Sequence, residues 1–224
     1  MLKILLIADV HGEVAKLSEF LEHFKEKDFD LVLCPGDFTD MFNVPEGYSQ
    51  MDIAEIVLQK LLSLGKPVFC VPGNHDPYEI LDLFDDYEVN LHGRFENFKG
   101  FKLVGFGGAL TPFNTKFEPT EEETRESLSR LTSKKKEKVI LLTHSPPYGT
   151  SLDKTEKGEH VGSKAIREFI EKENPVLAVS AHIHEAGGVE KIGTTTIFYP
   201  GPLFERSYGM VTIDKEVRCE IKKF

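Results

Sequence analysis

Five short motifs bring the residue types of a metal site into this chain, always in the same kind of place. The first is Asp9-Val10-His11-Gly12. A carboxylate and an imidazole two residues apart at the end of an apolar run can reach one cation, although a capped turn with a surface histidine looks the same. The second is Gly36-Asp37-Phe38-Thr39-Asp40. A carboxylate just past a strand can bridge two metals, and Asp is also favoured in ordinary turns. The third, Gly73-Asn74-His75-Asp76, crowds an amide, an imidazole and a carboxylate into one tight turn. The fourth is His144, which closes Leu141-Leu142-Thr143 just before Pro146-Pro147 stop the strand; alone, it reads first as a satisfied core histidine. The fifth is Ala181-His182-Ile183-His184, where residues two apart in an extended segment share a face. Each motif is weak and the ordered set is specific. Its mixed nitrogen and oxygen donors suit Zn, Fe, Mn, Co or Ni better than Ca or Mg alone.

The elements that must hold these residues are legible as apolar runs. Strands are expected over Leu2–Ala8, Asp30–Cys34, Pro67–Val71, Phe101–Gly107, Lys138–Thr143, Val176–Ser180, Thr194–Tyr199, Tyr208–Asp214 and Val217–Lys222. Helical spacing places Val14, Leu17, Leu21 and Phe24 on one face, and Ile53, Ile56, Val57, Leu61 and Leu64 on another. A third helix carries Ile166, Phe169 and Ile170, with Ser163 as its N-cap. The runs Glu121-Glu122-Glu123 and Lys134-Lys135-Lys136 read as the two ends of one solvated helix. Strand–helix alternation implies sheets buried by helices. Because helices thin out towards the C-terminus, the expected class is α/β: a two-sheet β-sandwich flanked by helices in four layers. Ligand-type residues at successive strand ends can converge on one crevice, since open α/β sheets bind ligands beyond the carboxyl ends of their strands.

Composition narrows the partners. The 224 residues carry a formal net charge of −10, with 40% hydrophobic and 29% charged residues. One globular domain over 1–224 is expected, and nucleic acid is an unlikely partner because binding it rests on Lys/Arg neutralising phosphates. Three cysteines form no disulfide framework, which points to the cytoplasm. The opening apolar run is too short to span a bilayer; it reads as a strand, not a signal peptide.

The ordered motifs from Asp9 to His184 resemble the calcineurin-like metallophosphoesterase superfamily. More narrowly, Thr143-His144-Ser145-Pro146-Pro147-Tyr148-Gly149, His160-Val161-Gly162-Ser163 and Tyr199-Pro200-Gly201-Pro202 resemble the small uncharacterised phosphoesterases of archaea and bacteria. The resemblance implies hydrolysis of a small phosphate ester, a phosphodiester by preference, with two divalent ions per chain (Mn, Fe, Zn, Co or Ni, with Mn favoured in assays). By the same resemblance Asp9, His11, Asp37 and His184 bind one ion. Asp37 bridges to the second, which Asn74, His144 and His182 also hold, and an attacking hydroxide sits between the two. His75 would act at the leaving group, oriented by Asp40 or by the adjacent Asp76.

Three positions depart from the family pattern. Ala181 replaces a usual glycine, Tyr199 a usual asparagine, at the expected pocket edge, and Met41 stands where the protein phosphatases of the superfamily carry a phosphate-clamping arginine. The alternatives are a nuclease of the same superfamily and a non-catalytic protein-interaction scaffold, as in a retromer subunit. His23 and His92 read as structural or exposed. His160, in a loop that folds towards the site, and Arg206 are further candidates for substrate contact.

Overall fold

Residues 1–26, 28–132 and 137–224 are described by the computed structural model of the chain. The first apolar run forms β1 (Leu2–Leu6), whose side chains alternate between two buried clusters. Leu2, Ile4 and Leu6 face one, and Leu5 faces the other, as the two-residue period of a strand requires. β1 lies parallel to β2 (Leu31–Cys34), which lies parallel to β3 (Val68–Cys70). The C-terminal hairpin, β10 (Ser207–Ile213) and β11 (Val217–Lys223), joins antiparallel on the other side of β1. The resulting five-stranded sheet has the order β11-β10-β1-β2-β3.

The second sheet has six strands. They are β4 (Arg94–Phe98), β5 (Phe101–Phe106), β6 (Lys138–Thr143), β7 (Leu177–Val179), β8 (Gly188–Ile192) and β9 (Thr195–Tyr199), in the order β4-β5-β6-β7-β9-β8. The inner four are parallel, and each edge is an antiparallel hairpin partner. The inner faces meet in one core, to which Leu2, Ile4, Leu6 and Leu33 contribute from the first sheet and Leu103, Ile140, Leu142 and Phe198 from the second.

Helices close both outer faces. α1 (Val14–His23), α2 (Gln50–Leu62) and α3 (Ile80–Asp86) cover the first sheet through Leu17, Phe20, Val57, Leu61 and Phe84. α4 (Glu121–Arg130) and α5 (Lys164–Glu173) cover the second through Leu128, Ile166, Phe169 and Ile170. The four-layer α/β sandwich expected from the sequence is therefore the one observed. Ser163 caps α5 as expected, its Oγ accepting from Ile166 N at 3.2 Å.

Three elements lie outside the sequence reading. β4 and β8 are edge strands with several exposed side chains and no apolar run, and α3 has seven residues, too few for a period to show. α4 stops at Arg130; the Lys134-Lys135-Lys136 run lies outside the described residues. No helix among the described residues is long and apolar enough to cross a membrane.

Candidate metal centre

The C-terminal ends of β1, β2 and β3 meet those of β6 and β7 across the seam between the sheets. His144 Nδ1 donates to Pro35 O at 2.8 Å, and Ala181 N donates to His144 O at 2.9 Å, so three loops from both sheets are tied together. The backbone there is strained. Asp9 (φ 48), His11 (φ 48), Asp37 (φ 52) and His182 (φ 79) all occupy the left-handed region. Side chains with a Cβ rarely adopt it, and at functional sites the surrounding structure must enforce it. Backbone bonds from His11 N to Asp37 O and from Gly12 N to Phe38 O, both 2.9 Å, do part of this.

Buried Asp76 does the rest. It accepts from Gly73 N (2.8 Å), Phe38 N (3.2 Å), Thr39 N (2.9 Å) and Thr39 Oγ1 (3.0 Å), stapling the Asp37 turn to the Asn74 turn. Burial and the neighbouring Asp37 charge push its pKa up to about 6. The two turns touch so closely that a Cβ on Gly73 would lie 2.0 Å from Asp37 Oδ1, and one on Gly36 would lie 2.5 Å from Gly73 N. This close approach explains both glycines. Ala181 is tolerated because its backbone is not among the positive-φ positions.

Among the described residues the side-chain atoms form three overlapping groups, one of them His11 with Asp40 and His75; the other two hold expected ligands. Ligand atoms of Asp9, His11, Asp37 and His184 lie within 4.8 Å of one another, as do those of Asp37, His144 and His182. Asp37 belongs to both. Its Oδ1 accepts from His75 N at 2.9 Å, which leaves Oδ2 between His11 Nε2 (3.2 Å) and His144 Nε2 (3.3 Å). His11 Nε2 and His184 Nε2 face each other at 3.1 Å, and His144 Nε2 faces Asn74 Oδ1 at 2.9 Å. All seven sequence candidates for ligands are thus brought together.

His144 shows the chemistry this cluster calls for. A carbonyl only accepts, so the bond to Pro35 O puts the proton on Nδ1 and leaves a lone pair on Nε2. That lone pair points at two oxygen acceptors inside a fully buried site. Acceptor against acceptor is unfavourable unless a cation lies between them. In the metal-free protein, protons must play that part. Burial opposes charge on His11 and His144, but Asp37 and Asp9 outweigh it, raising both and bringing His11 to about 9. Burial, reinforced by the His144 charge, drives His182 down to about 3. Two imidazolium protons do not serve all seven donors. Divalent ions do: metal bonds of about 2.0–2.2 Å hold ligand atoms about 3–3.6 Å apart, close to the 2.9–3.3 Å contacts that link His11, Asp37, Asn74, His144 and His184. The residues present therefore fit a divalent metal centre.

The remaining candidates take other partners, although His75 and Asp40 also lie close to His11. His75 Nδ1 donates to Asp40 Oδ1 at 3.1 Å, so of its two possible partners the structure pairs it with Asp40, while Asp76 acts as the staple. His160 is bound to buried Asp153 at 2.7 Å and helps tie the 149–162 loop. Arg206 pairs with Glu19 of α1 and is not among the residues lining the cleft. His23 bonds the Glu19 carbonyl within α1. Partly buried His92 accepts from Gly107 N at 2.9 Å. Tyr199 is not at a pocket edge: it is fully buried and donates its hydroxyl to Asp9 Oδ2 at 2.6 Å, fixing that carboxylate. Sequence reasoning also missed Thr115, which accepts from Asn74 Nδ2 at 3.1 Å, and Phe204, whose ring lies 4.9 Å from His184. Neither carries a sequence signal, because Thr115 acts from a loop and Phe204 from a single helical turn, each well separated along the chain from its partner.

The cluster opens into a cleft of about 500 Å³ whose walls include His75, Phe113, Glu156, Lys157, Glu159 and Glu185. Two helix-flanked sheets with imidazoles and carboxylates at converging strand ends define a metallophosphoesterase fold. The chain belongs to the calcineurin-like phosphoesterase family, whose match spans residues 2–186; that family typically binds divalent metals. An uncharacterised protein of Methanocaldococcus jannaschii is 35% identical over 224 residues, covering 95% of this chain and 96% of its own. Among solved structures, the protein TT1561 of Thermus thermophilus shares the fold with a TM-score of 0.79 at 21% identity, covering 99% of this chain and 98% of that one. An archaeal phosphodiesterase shares it with a TM-score of 0.56 at 15% identity, covering 99% and 100%.

Proposed function

We propose that this protein is a dinuclear metal-dependent phosphodiesterase acting on a small phosphodiester. The observation that carries the reading is His144 Nε2 set 2.9 Å from Asn74 Oδ1 and 3.3 Å from Asp37 Oδ2, with Asp37 Oδ2 shared between two ligand groups. Asp9, His11, Asp37 and His184 would hold one ion, and Asp37, Asn74, His144 and His182 the other. Two divalent ions in such a site supply a nucleophilic water at neutral pH and offset charge on the reacting phosphate.

The chain's own residues do the rest. Asp40 accepts from His75 Nδ1 and so orients the ring, which lines the cleft, for proton donation to the departing oxygen. Gln50 steadies the same turn, its Nε2 donating to His75 O and Thr39 Oγ1, both at 2.9 Å. A diester suits the surrounding charge. Lys157 is the one Lys or Arg among the lining residues, against Glu156, Glu159 and Glu185, and position 41 is Met. A dianionic monoester is poorly matched there. Protein reconstituted with Mn, Fe, Zn, Co or Ni should hydrolyse 4-nitrophenyl methyl phosphate with a kcat/KM equal to or above that for 4-nitrophenyl phosphate. A clear preference for the monoester would overturn the diester assignment.

A further inference from the structure

The cleft has a second chamber. Beside it lies a pocket of about 260 Å³ whose walls are mainly apolar, built from Phe106, Ala109, Pro119, Tyr148 and Ile166, with Ser145 also on its wall. Leu110 and Val161 line both spaces, so they form the seam between the pocket and the metal cluster's cleft. These two side chains are 58% and 41% exposed, and Phe113 further along the cleft is 72% exposed. Exposed apolar side chains are ordinary when scattered, but grouped around a concave site they mark what it binds.

Charge restricts the occupant. The pocket abuts the N-terminus of α5, a position that ordinarily attracts an anion. Here it is already taken: Glu121 Oε2 accepts from Ala165 N at 2.7 Å. The one ammonium on the wall, Lys164, lies 5.2 Å over the Tyr148 ring. A further anionic group would face Glu121, whereas an uncharged ring would meet Tyr148, Phe106 and aliphatic carbon. An apolar cavity of about 150 Å³ is enough to take benzene, so this volume admits one substituted ring.

Position decides which end of a diester enters. His75 lines the cleft but not the side pocket, while Ser145, next to His144, lines the side pocket but not the cleft. A leaving group placed at His75 therefore puts the other ester group on the Ser145 side.

We propose that the side pocket is a specificity subsite for an uncharged aromatic group on the ester oxygen that stays bonded to phosphorus. This rests on the phosphodiesterase reading above. The test compares two diesters with the same leaving group, 4-nitrophenyl phenyl phosphate and 4-nitrophenyl methyl phosphate, on metal-reconstituted protein. The phenyl ester should show a KM lower by about tenfold, the scale of discrimination by small apolar pockets, with kcat little changed. Leu110→Asp and Val161→Asp each place a carboxylate on the seam, at exposed positions where folding is not at stake. Both should bring the phenyl-to-methyl ratio close to one, with metal content measured alongside. Binding of benzyl(methyl)phosphinate, which has a CH2 in place of the ester oxygen and no bond to hydrolyse, followed by calorimetry, should weaken in the same two variants. Equal KM values in the wild type, or a ratio untouched by both substitutions, would overturn the subsite while leaving the phosphodiesterase standing. Failure to hydrolyse either diester with any of the metals would bring down both.

Discussion

His92 and His144 sit beside the ends of adjoining strands, β5 and β6, and they are used in opposite ways. His92 packs its ring against Phe106 at 4.7 Å and Phe117 at 5.0 Å. Its Nδ1 lone pair meets the Gly107 N–H, and burial, helped by Arg94, lowers its pKa to about 4. Its Nδ1 is thus met by a donor, and among the described residues no carboxylate or amide oxygen is paired with the other nitrogen. His144 also has one nitrogen met, by Pro35 O, but its other nitrogen is turned on two oxygens. What sets His144 apart is a second ring nitrogen turned on two oxygens of the cluster, and burial alone does not distinguish the two.

The comparison breaks most visibly at His144 itself. His144→Ala should cost the second ion and with it turnover. The loss of metal affinity should exceed the roughly 10–100-fold that partners one step behind a ligand command. A conservative change at His92, such as His92→Gln, should leave metal content untouched. Elemental analysis of both variants after identical reconstitution checks this, and equal metal loss in the two would erase the distinction.

His75 sharpens it from another side, as a histidine in the cluster region that is not assigned to a metal. His75→Ala should keep both ions while kcat falls on the order of 10²–10⁴-fold, the usual contribution of a positioned proton donor. The fall should shrink for acidic leaving groups, which depart without protonation, and Asp40→Asn should act in the same direction but less. Rates across leaving groups of graded acidity, with metal content alongside, decide the matter. Loss of an ion on removing His75 would reassign it as a ligand, a possibility left geometrically open by its nearness to His11 and Asp40.

The contrast between these histidines was only half legible in the sequence. The strand ends carrying Asp9, Asp37, Asn74, His144 and His182 were readable because each apolar run stops abruptly at a polar residue. The four-layer order was readable from the thinning of helices after α5. The edge strands β4 and β8 were not, because a strand with several exposed side chains shows no hydrophobic run. Nor could the sequence separate Asp40 from Asp76 as the partner of His75. That choice depends on how the Asp37 and Asn74 turns interlock through Gly36 and Gly73. Tyr199 beneath Asp9, and Leu110 facing Val161, join residues far apart along the chain that carry no mutual pattern.

The smallest effect concerns His92 alone. Its folded pKa, about 4, lies below the ordinary 6.5. Between those values the unfolded chain takes up a proton that the folded protein refuses. Its contribution is therefore complete above about pH 6.5 and declines as pH falls towards 4, by up to about 3 kcal/mol. Urea midpoints of metal-free protein at pH 7 and pH 4.5 should differ less in His92→Gln than in the wild type. An identical acid response would place the sensitivity elsewhere.

The central claim is that seven side chains from both sheets form one site for two ions, with Asp37 shared. Metal stoichiometry of the reconstituted protein tests it most directly. Two divalent ions per chain in the wild type, and most of both lost in Asp37→Ala, is the predicted result. One ion or none in the wild type, or an Asp37→Ala variant that still holds two, would contradict it.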